Sequence, residues 1–142
     1  MISMNRKGDN YSLYTDGASR GNPGHSGAGI VIIDSKDKII CKEAIYLGIK
    51  TNNEAEYLAL ILGLKEVHKH YLKRVHIFLD SQLVVNQIKG AYRVKASHLK
   101  PLYSKVEKLL KKIPEYDIFY IGREQNKLAD KLANQGIDRE LK

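Results

Sequence analysis

The chain reads Arg74-Val-His-Ile-Phe-Leu-Asp80 near its middle, an apolar run that ends in a carboxylate. Ser81 and Gln82 follow at once and open a new stretch with helical periodicity. This pattern predicts a strand that carries Asp80 at its C-terminal tip, where a helix begins. Strands that lead into helices are typical of α/β proteins with parallel strands.

The rest of the chain supplies partners for this strand. A Gly/Asn/Pro-rich turn is predicted at 17–27, and Asn52 or Asn53 is predicted to cap the first helix. We predict strands at 11–16, 29–34, 38–47, 74–80 and 116–121, and helices at 52–70, 81–88, 100–112 and 126–139. The order β-β-β-α-β-α-α-β-α predicts an α/β fold. Its five-stranded mixed sheet has three antiparallel strands plus parallel strands, with helices on both faces.

Length and composition predict one folded domain. We expect a loosely held segment at 1–10 and a single domain at 11–142. The lone cysteine, Cys41, excludes an internal disulfide and fits a reducing compartment. No apolar run approaches the roughly 20 residues of a membrane span. A cytoplasmic location is therefore expected.

The chain is strongly basic, with a formal net charge of +8. Much of the excess lies between Lys89 and Lys112, where Glu107 is the only acid. Such a field favours a polyanion, above all nucleic acid. A solvated, lysine-rich helix that maintains solubility, or the charge enrichment typical of thermophiles, explains it equally well.

Three further acids share the unusual context of Asp80. Asp16 follows Leu13-Tyr-Thr and precedes the Gly-rich turn, Glu56 opens a long helical pattern, and Asp130 lies in the apolar face of the last helix. Carboxylates in apolar surroundings are costly unless they are paired or bind a cation. Each acid alone is more simply a cap, a turn residue or a surface charge, but the four together indicate a shared metal site.

The ligand types indicate which metal this site would hold. Oxygen ligands without a cysteine or an aligned histidine pair favour Mg²⁺ or Mn²⁺ over Zn²⁺. Carboxylate clusters of this kind hold two ions about 3.5–4 Å apart for in-line phosphoryl displacement. Glu54 competes with Glu56 for the helical position. We prefer Glu56 because the small residues Ala59 and Gly63 share its stripe and permit close approach to the sheet.

Polar side chains flank the predicted site. The turn Asp16-Gly-Ala-Ser-Arg-Gly-Asn-Pro-Gly24 brings polar groups and flexible backbone. The triplet Thr51-Asn52-Asn53 offers hydrogen bonds to a phosphate or a ribose hydroxyl at a helix N-terminus. Helix capping is the simpler explanation for that triplet taken alone.

Four motifs now stand together in the chain: Asp16-Gly-Ala-Ser-x-Gly-Asn-Pro-Gly24, Thr51-Asn-Asn-x-x-Glu56, Asp80-Ser-Gln82 and Arg123-Glu-x-Asn-x-x-Ala-Asp130. In order and spacing they resemble the motifs of type 1 ribonuclease H, in the short form without a hybrid-binding domain. The resemblance covers about residues 11–137. Each motif alone is weak, whereas the ordered set is highly specific.

This resemblance implies a ribonuclease H-like fold and a metal-dependent endonuclease. The implied reaction cuts the RNA strand of an RNA–DNA hybrid and leaves 5′-phosphate and 3′-hydroxyl ends. The implied cofactors are two Mg²⁺ ions, with Mn²⁺ as a substitute. The implied catalytic and metal-binding acids are Asp16, Glu56, Asp80 and Asp130. The implied substrate-binding residues are Ser19, Asn22, Thr51, Asn52, Asn53 and Gln82, of which Thr51 and Asn22 would hold a DNA-strand phosphate.

The chain departs from the family pattern in two places. Many relatives carry a histidine in the loop before the last acid, but residues 121–126 contain none. Arg123 or Glu124 are the candidates to replace it. The Trp-containing basic protrusion of some relatives is also missing. The residues placed to supply part of its role are Lys89, Arg93 and Lys95.

Two alternatives stay open at this point. The same chemistry could act on double-stranded RNA as well as hybrids, or on branched DNA. A catalytically inactive nucleic-acid-binding module would instead bind tightly, in a salt-sensitive way, without turnover. We expect an RNA–DNA hybrid as the partner of a monomer, with no membrane association and no obligate protein partner.

Overall fold

The computed structural model describes residues 9–142. Residues 1–8 of the segment expected to be loosely held, 1–10, lie outside this range. The strands are β1 (Tyr11–Gly21), β2 (Gly24–Ile33), β3 (Ile39–Lys50), β4 (Arg74–Leu79) and β5 (Glu115–Tyr120). The helices are α1 (Asn52–Lys69), α2 (Gln82–Ile88), α3 (Lys100–Lys111) and α4 (Lys127–Glu140). The predicted element order is confirmed.

The five strands form one mixed sheet in the order β3-β2-β1-β4-β5. β1 pairs with β2 and β2 with β3 in antiparallel fashion, whereas β4 is parallel to both β1 and β5. The predicted three-stranded meander beside parallel strands is therefore confirmed. The parallel pairing of β1 with β4 ends at Thr15 and Leu79, which are register partners.

Helices cover both faces of the sheet, as the sequence predicts. Ile30 and Ile32 of β2 belong to the main core, together with Leu60 and Leu64 of α1. Val31 points to the opposite face and packs with α4. Since successive side chains of a strand alternate between faces, α1 and α4 lie on opposite sides of the sheet.

The predicted turn at 17–27 is wrong, because β1 and β2 continue through it as paired strands and the turn is confined to residues 22–23. Gly21 and Gly24 flank this short turn, whereas Gly27 and Gly29 of β2 admit a helix rather than turn the chain. A Cβ added at Gly29 would lie 1.9 Å from the backbone oxygen of Ala129, and one added at Gly27 would lie 2.1 Å from that of Ala133. Only glycine allows α4 to pack this close to β2.

The predicted cap of α1 is also wrong. Thr51 is the N-cap, and its side chain accepts a hydrogen bond from the Glu54 N–H at 3.1 Å. The Glu54 carboxylate accepts in return from the Thr51 N–H at 2.9 Å. This capping box satisfies two of the free N–H groups at the helix start, so the helix begins one residue later, at Asn52. Among residues 9–142, no helix combines the length and the apolar character needed to cross a membrane.

Candidate active site

Two carboxylates lie side by side because β1 and β4 are parallel neighbours. Thr15 and Leu79 are partners in the register, so Asp16 and Asp80 follow them at the same edge of the pair. Asp80 lies beyond the end of β4, as predicted. Asp16 does not end its strand, since β1 continues to Gly21 paired only with β2. Asp16 is buried, with 5% of its surface exposed, and Asp80 is half-buried.

Glu56 reaches the same place from near the N-terminal end of α1. Its Oε1 accepts a hydrogen bond from the Gly17 N–H at 3.0 Å. A Cβ at Gly17 would lie 2.3 Å from the backbone oxygen of Ala55, so glycine is required for this approach. Glu54, the rival position, is engaged in the cap of α1. The structure therefore places Glu56, and not Glu54, beside Asp16 and Asp80.

The carboxylates of Asp16, Glu56 and Asp80 form one cluster. One oxygen from each lies within 4.8 Å of the others, a spacing that allows them to share a cation. Asp130 of α4 is half-buried, and it lies near enough to Asp16 to help raise the pKa of that carboxyl. Asp130 is thus adjacent to the three-carboxylate cluster but outside it.

The cluster is electrostatically unfavourable without a cation. Burial, above all, raises the pKa of Asp16 to about 10, and the nearby carboxylates Glu56, Asp80 and Asp130 add to the shift. Burial and then the charge of Asp80 raise the pKa of Glu56 to about 8. At neutral pH the cluster therefore retains protons, which neutralise its carboxylates. A bound divalent cation would neutralise the carboxylates in their place. The all-oxygen donor set fits Mg²⁺ or Mn²⁺.

Asn126 is a residue that the sequence patterns alone do not assign to the site. It is 2% exposed, and its side-chain amide donates to the Thr15 backbone oxygen at 2.9 Å and to Asp80 Oδ2 at 3.2 Å. One side-chain amide therefore holds β1, β4 and the start of α4 together. Its own Oδ1 is buried, without a hydrogen-bond partner among residues 9–142. Its position at a helix start predicts a cap, but it makes no side-chain cap hydrogen bond.

The predicted substrate-binding residues fall into two groups. One group joins the β1–β2 turn to the start of α1: the exposed Asn22 accepts from the Asn52 N–H at 3.0 Å, and Ser19 donates to the Lys50 backbone oxygen at 2.9 Å. Thr51 and Asn53 lie on either side of Asn52. The second group is Gln82 alone, which is exposed at the start of α2.

The loop before Asp130 forms a short 3-10 turn, Arg123–Gln125. The positive charge of Arg123 lies near enough to Glu56 to oppose the rise in its pKa. Arg123 is thus the loop residue that acts electrostatically on the cluster. Its exposed side chain stands where the sequence lacks the histidine of many relatives.

Comparisons with known proteins agree with this arrangement. The family described as Reverse transcriptase-like matches residues 14–136. Ribonuclease HI of Halobacterium salinarum is 34% identical over 132 residues, which cover 93% of this chain and 66% of that protein. The crystal structure of RNase H1 from the same organism superposes with a TM-score of 0.89, covering 92% of this chain and 98% of that one.

Two further relatives are informative. LC11-RNase H1, isolated from compost by a metagenomic approach, has a crystal structure in complex with an RNA/DNA hybrid. It is 37% identical, with a TM-score of 0.88 over 93% of this chain and 99% of that one. A bifunctional protein of Mycobacterium tuberculosis is 36% identical over 127 residues. The match covers 89% of this chain but only 35% of that protein, so the chain spans about a third of its length.

Proposed function

The chain belongs to the type 1 ribonuclease H family, and from this premise we propose that it is an endonuclease that hydrolyses the RNA strand of RNA–DNA hybrids. The observation that carries the proposal is the cluster of Asp16, Glu56 and Asp80 where the parallel pairing of β1 and β4 ends. Burial and the neighbouring acids raise the pKa values of Asp16 and Glu56, and a bound cation would relieve this clustering of negative charge. The relatives of the chain include an RNase H1 crystallised with an RNA/DNA hybrid.

Asp16, Glu56, Asp80 and Asp130 are the residues that would hold two Mg²⁺ ions, with Mn²⁺ as a substitute. The ions, when bound, supply Lewis-acid stabilisation of the attacking and leaving oxygens of an in-line displacement. The protein fixes the geometry: Gly17 orients Glu56 by its N–H, and Asn126 orients Asp80 by its amide. The products expected of this reaction are a 5′-phosphate and a 3′-hydroxyl end.

The polar groups around the β1–β2 turn supply recognition in this proposal. The turn and the start of α1 are joined by the hydrogen bond from the Asn52 N–H to Asn22, so their side chains face substrate as one unit. A helix N-terminus favours a phosphate, and amide side chains suit a 2′-hydroxyl. The remaining members proposed to contact the hybrid are Ser19, Thr51, Asn53 and Gln82.

The basic segment between Lys89 and Lys112 offers a second surface that can bind the phosphates of the hybrid. Lys105, Lys108 and Lys111 of α3 are exposed, whereas Val106 and Leu110 of the same helix are buried in the core. The lysines are therefore free to approach phosphates while the helix stays anchored.

We assign the activity to one catalytic domain, residues 11–142, acting as a monomer. The lone cysteine fits the reducing cytoplasm.

The decisive experiment compares four labelled substrates: an RNA–DNA hybrid, duplex RNA, single-stranded RNA and duplex DNA. Each is incubated with Mg²⁺, Mn²⁺ or EDTA. The expected result is metal-dependent cleavage of the RNA strand of the hybrid alone. Comparable cutting of duplex RNA would replace hybrid specificity with a relaxed specificity on the same chemistry.

The matched control is Asp80→Asn, which removes one charge from the cluster at similar volume. Cleavage should disappear in this variant while its circular dichroism spectrum stays that of the wild type. Wild-type cleavage by a pure Asp80→Asn preparation would refute the proposed site. Tight, salt-sensitive binding of the hybrid by the wild type without cleavage under any metal would favour the inactive binding module instead.

A further inference from the structure

A second group of metal-ligating side chains lies between α1 and the edge strand β3. Cys41 of β3, Glu66 of α1 and His70 at the C-terminal end of α1 each place one ligand atom within 4.8 Å of the other two. Glu66 and His70 are four residues apart, so they share one face of the helix and point to the same strand. None of the three takes part in the proposed active site.

Two separations within this group are compatible with a tetrahedral zinc site. The Cys41 Sγ and Glu66 Oε1 atoms are 3.6 Å apart, and the His70 Nε2 and Glu66 Oε1 atoms are 3.5 Å apart. Typical zinc–ligand bond lengths at tetrahedral angles place S and O about 3.6 Å apart and N and O about 3.4 Å apart. In the structure the Cys41 thiol donates a hydrogen bond to Glu66 Oε1, and His70 Nε2 lies within ion-pair distance of the same oxygen, so the three ligand groups already converge.

Charge and burial also suit a divalent transition metal. A thiolate, a carboxylate and a neutral imidazole carry two negative charges, which balance a 2+ ion. Cys41 is buried, Glu66 is half-buried and His70 is exposed, so the group opens toward solvent on the His70 side, where a water would supply the fourth ligand. The thiolate and the imidazole select Zn²⁺ over Mg²⁺, which the active-site carboxylates prefer.

We propose that Cys41, Glu66 and His70 form a three-ligand Zn²⁺ site that ties the edge strand β3 to the C-terminal end of α1. Among residues 9–142, β3 is the last strand of the sheet and pairs with a strand on one side only. The bound ion holds this outer strand against the helix and releases the Cys41 proton to solvent on binding. The site is independent of the nuclease activity proposed above.

The first test is a Co²⁺ titration of the reduced full-length chain, with Mg²⁺ in excess to saturate the active-site carboxylates. Cys41 is the only cysteine, so a sulfur-to-cobalt charge-transfer band reports this site alone. The expected result is a band that saturates at one equivalent of Co²⁺ and disappears when Zn²⁺ is added. A wild-type titration without such a band would overturn the proposal.

Two histidine variants make the test specific. Loss of a ligand in His70→Gln should weaken Co²⁺ binding by more than the roughly 10–100-fold that the loss of a second-shell partner costs. The matched control is His98→Gln, which alters an exposed histidine outside the group and should bind Co²⁺ as the wild type does. Zn²⁺ should raise the melting temperature of the wild type and of His98→Gln but not that of His70→Gln. Equal Co²⁺ affinity in the two variants would mean that the thiol binds without this site.

Discussion

The contact between Gly17 and the start of α1 gives a sharp prediction for the variant Gly17→Ala. The backbone at Gly17 does not have a positive φ, so alanine is allowed there conformationally. The added Cβ, however, would lie 2.3 Å from the carbonyl carbon and oxygen of Ala55 and 2.5 Å from the Glu56 nitrogen. Because these are backbone atoms, no side-chain rotation relieves the overlap.

The expected displacement follows from these distances. Carbon atoms in contact normally lie about 3.5–4.0 Å apart, so the first turn of α1 must retreat by about 1 Å or more. The hydrogen bond from the Gly17 N–H to Glu56, now 3.0 Å, is then lost. Overpacking costs about 1–3 kcal/mol, and a typical hydrogen bond contributes about 0.5–1.5 kcal/mol. A shift of about 1 Å in a reacting group can reduce the rate roughly 100-fold.

Two measurements test this reasoning: urea denaturation for the free energy of unfolding, and steady-state cleavage of the hybrid for kcat. The control is Gly63→Ala, a second glycine at the contact between α1 and β1, but on the helix side. Its Cβ would meet side-chain atoms of Thr15 and Leu13, at 2.7 and 3.1 Å, which can adjust. Gly17→Ala should lose stability and about 100-fold in kcat, whereas Gly63→Ala should lose stability but keep most of its activity. A Gly17→Ala variant with wild-type kcat would refute the role of the glycine in placing Glu56.

Three further predictions follow from the site and its supports. In Asn126→Ala, kcat for the hybrid should fall while KM changes little, and unfolding in urea should show a loss of about 1–3 kcal/mol, because Asp80 loses a buried donor; an unchanged kcat would contradict the positioning role. Folding raises the pKa values of Asp16 and Glu56. The stability that these groups contribute is therefore fully present below their unfolded pKa values, and it is lost as pH rises through the folded pKa values of about 8 for Glu56 and about 10 for Asp16. Melting temperatures measured in EDTA should therefore fall with rising pH, and Asp16→Asn should flatten this dependence; a dependence as steep in Asp16→Asn as in the wild type would show that other groups cause it. Thr51→Ala removes half of the capping box and should cost about 0.5–2 kcal/mol in urea denaturation, with Ser at the same position as the control that keeps the hydroxyl.

Local sequence patterns were sufficient for the architecture but not for the packing of its glycines. Periodicity predicts every strand and helix, and the strand ending at Asp80 predicts the parallel edge where the acids meet. The same reasoning assigns the glycines at 17–27 to a turn, because glycine favours turns when only its neighbours in sequence are considered. Gly21 and Gly24 do border the short turn, but Gly17 and Gly27 instead meet backbone atoms of α1 and α4, distant in sequence, which no local pattern reveals.

The candidate site shows the same division. Its four acids are recognisable from their context and order, and three of them form the cluster. Asn126 is not recognisable as a support of that cluster, because its partner Thr15 lies 111 residues away. The group formed by Cys41, Glu66 and His70 is equally hidden, since a strand residue meets two residues of a helix that follows it in the chain. Long-range contacts of this kind require the folded structure.

The strand order gives the site a location that does not depend on its acids. From β1 the chain builds outward in one direction through β2 and β3, and then crosses over to build in the other direction through β4 and β5. The boundary between β1 and β4 is therefore a topological switch point, and in open α/β sheets ligands bind beyond the carboxyl ends of the strands at such a point. Connectivity alone thus marks this position for binding, and the carboxylates give it a chemistry. A descendant of this chain that lost its acids would keep the switch point, and would be free to retain a ligand there without cutting it.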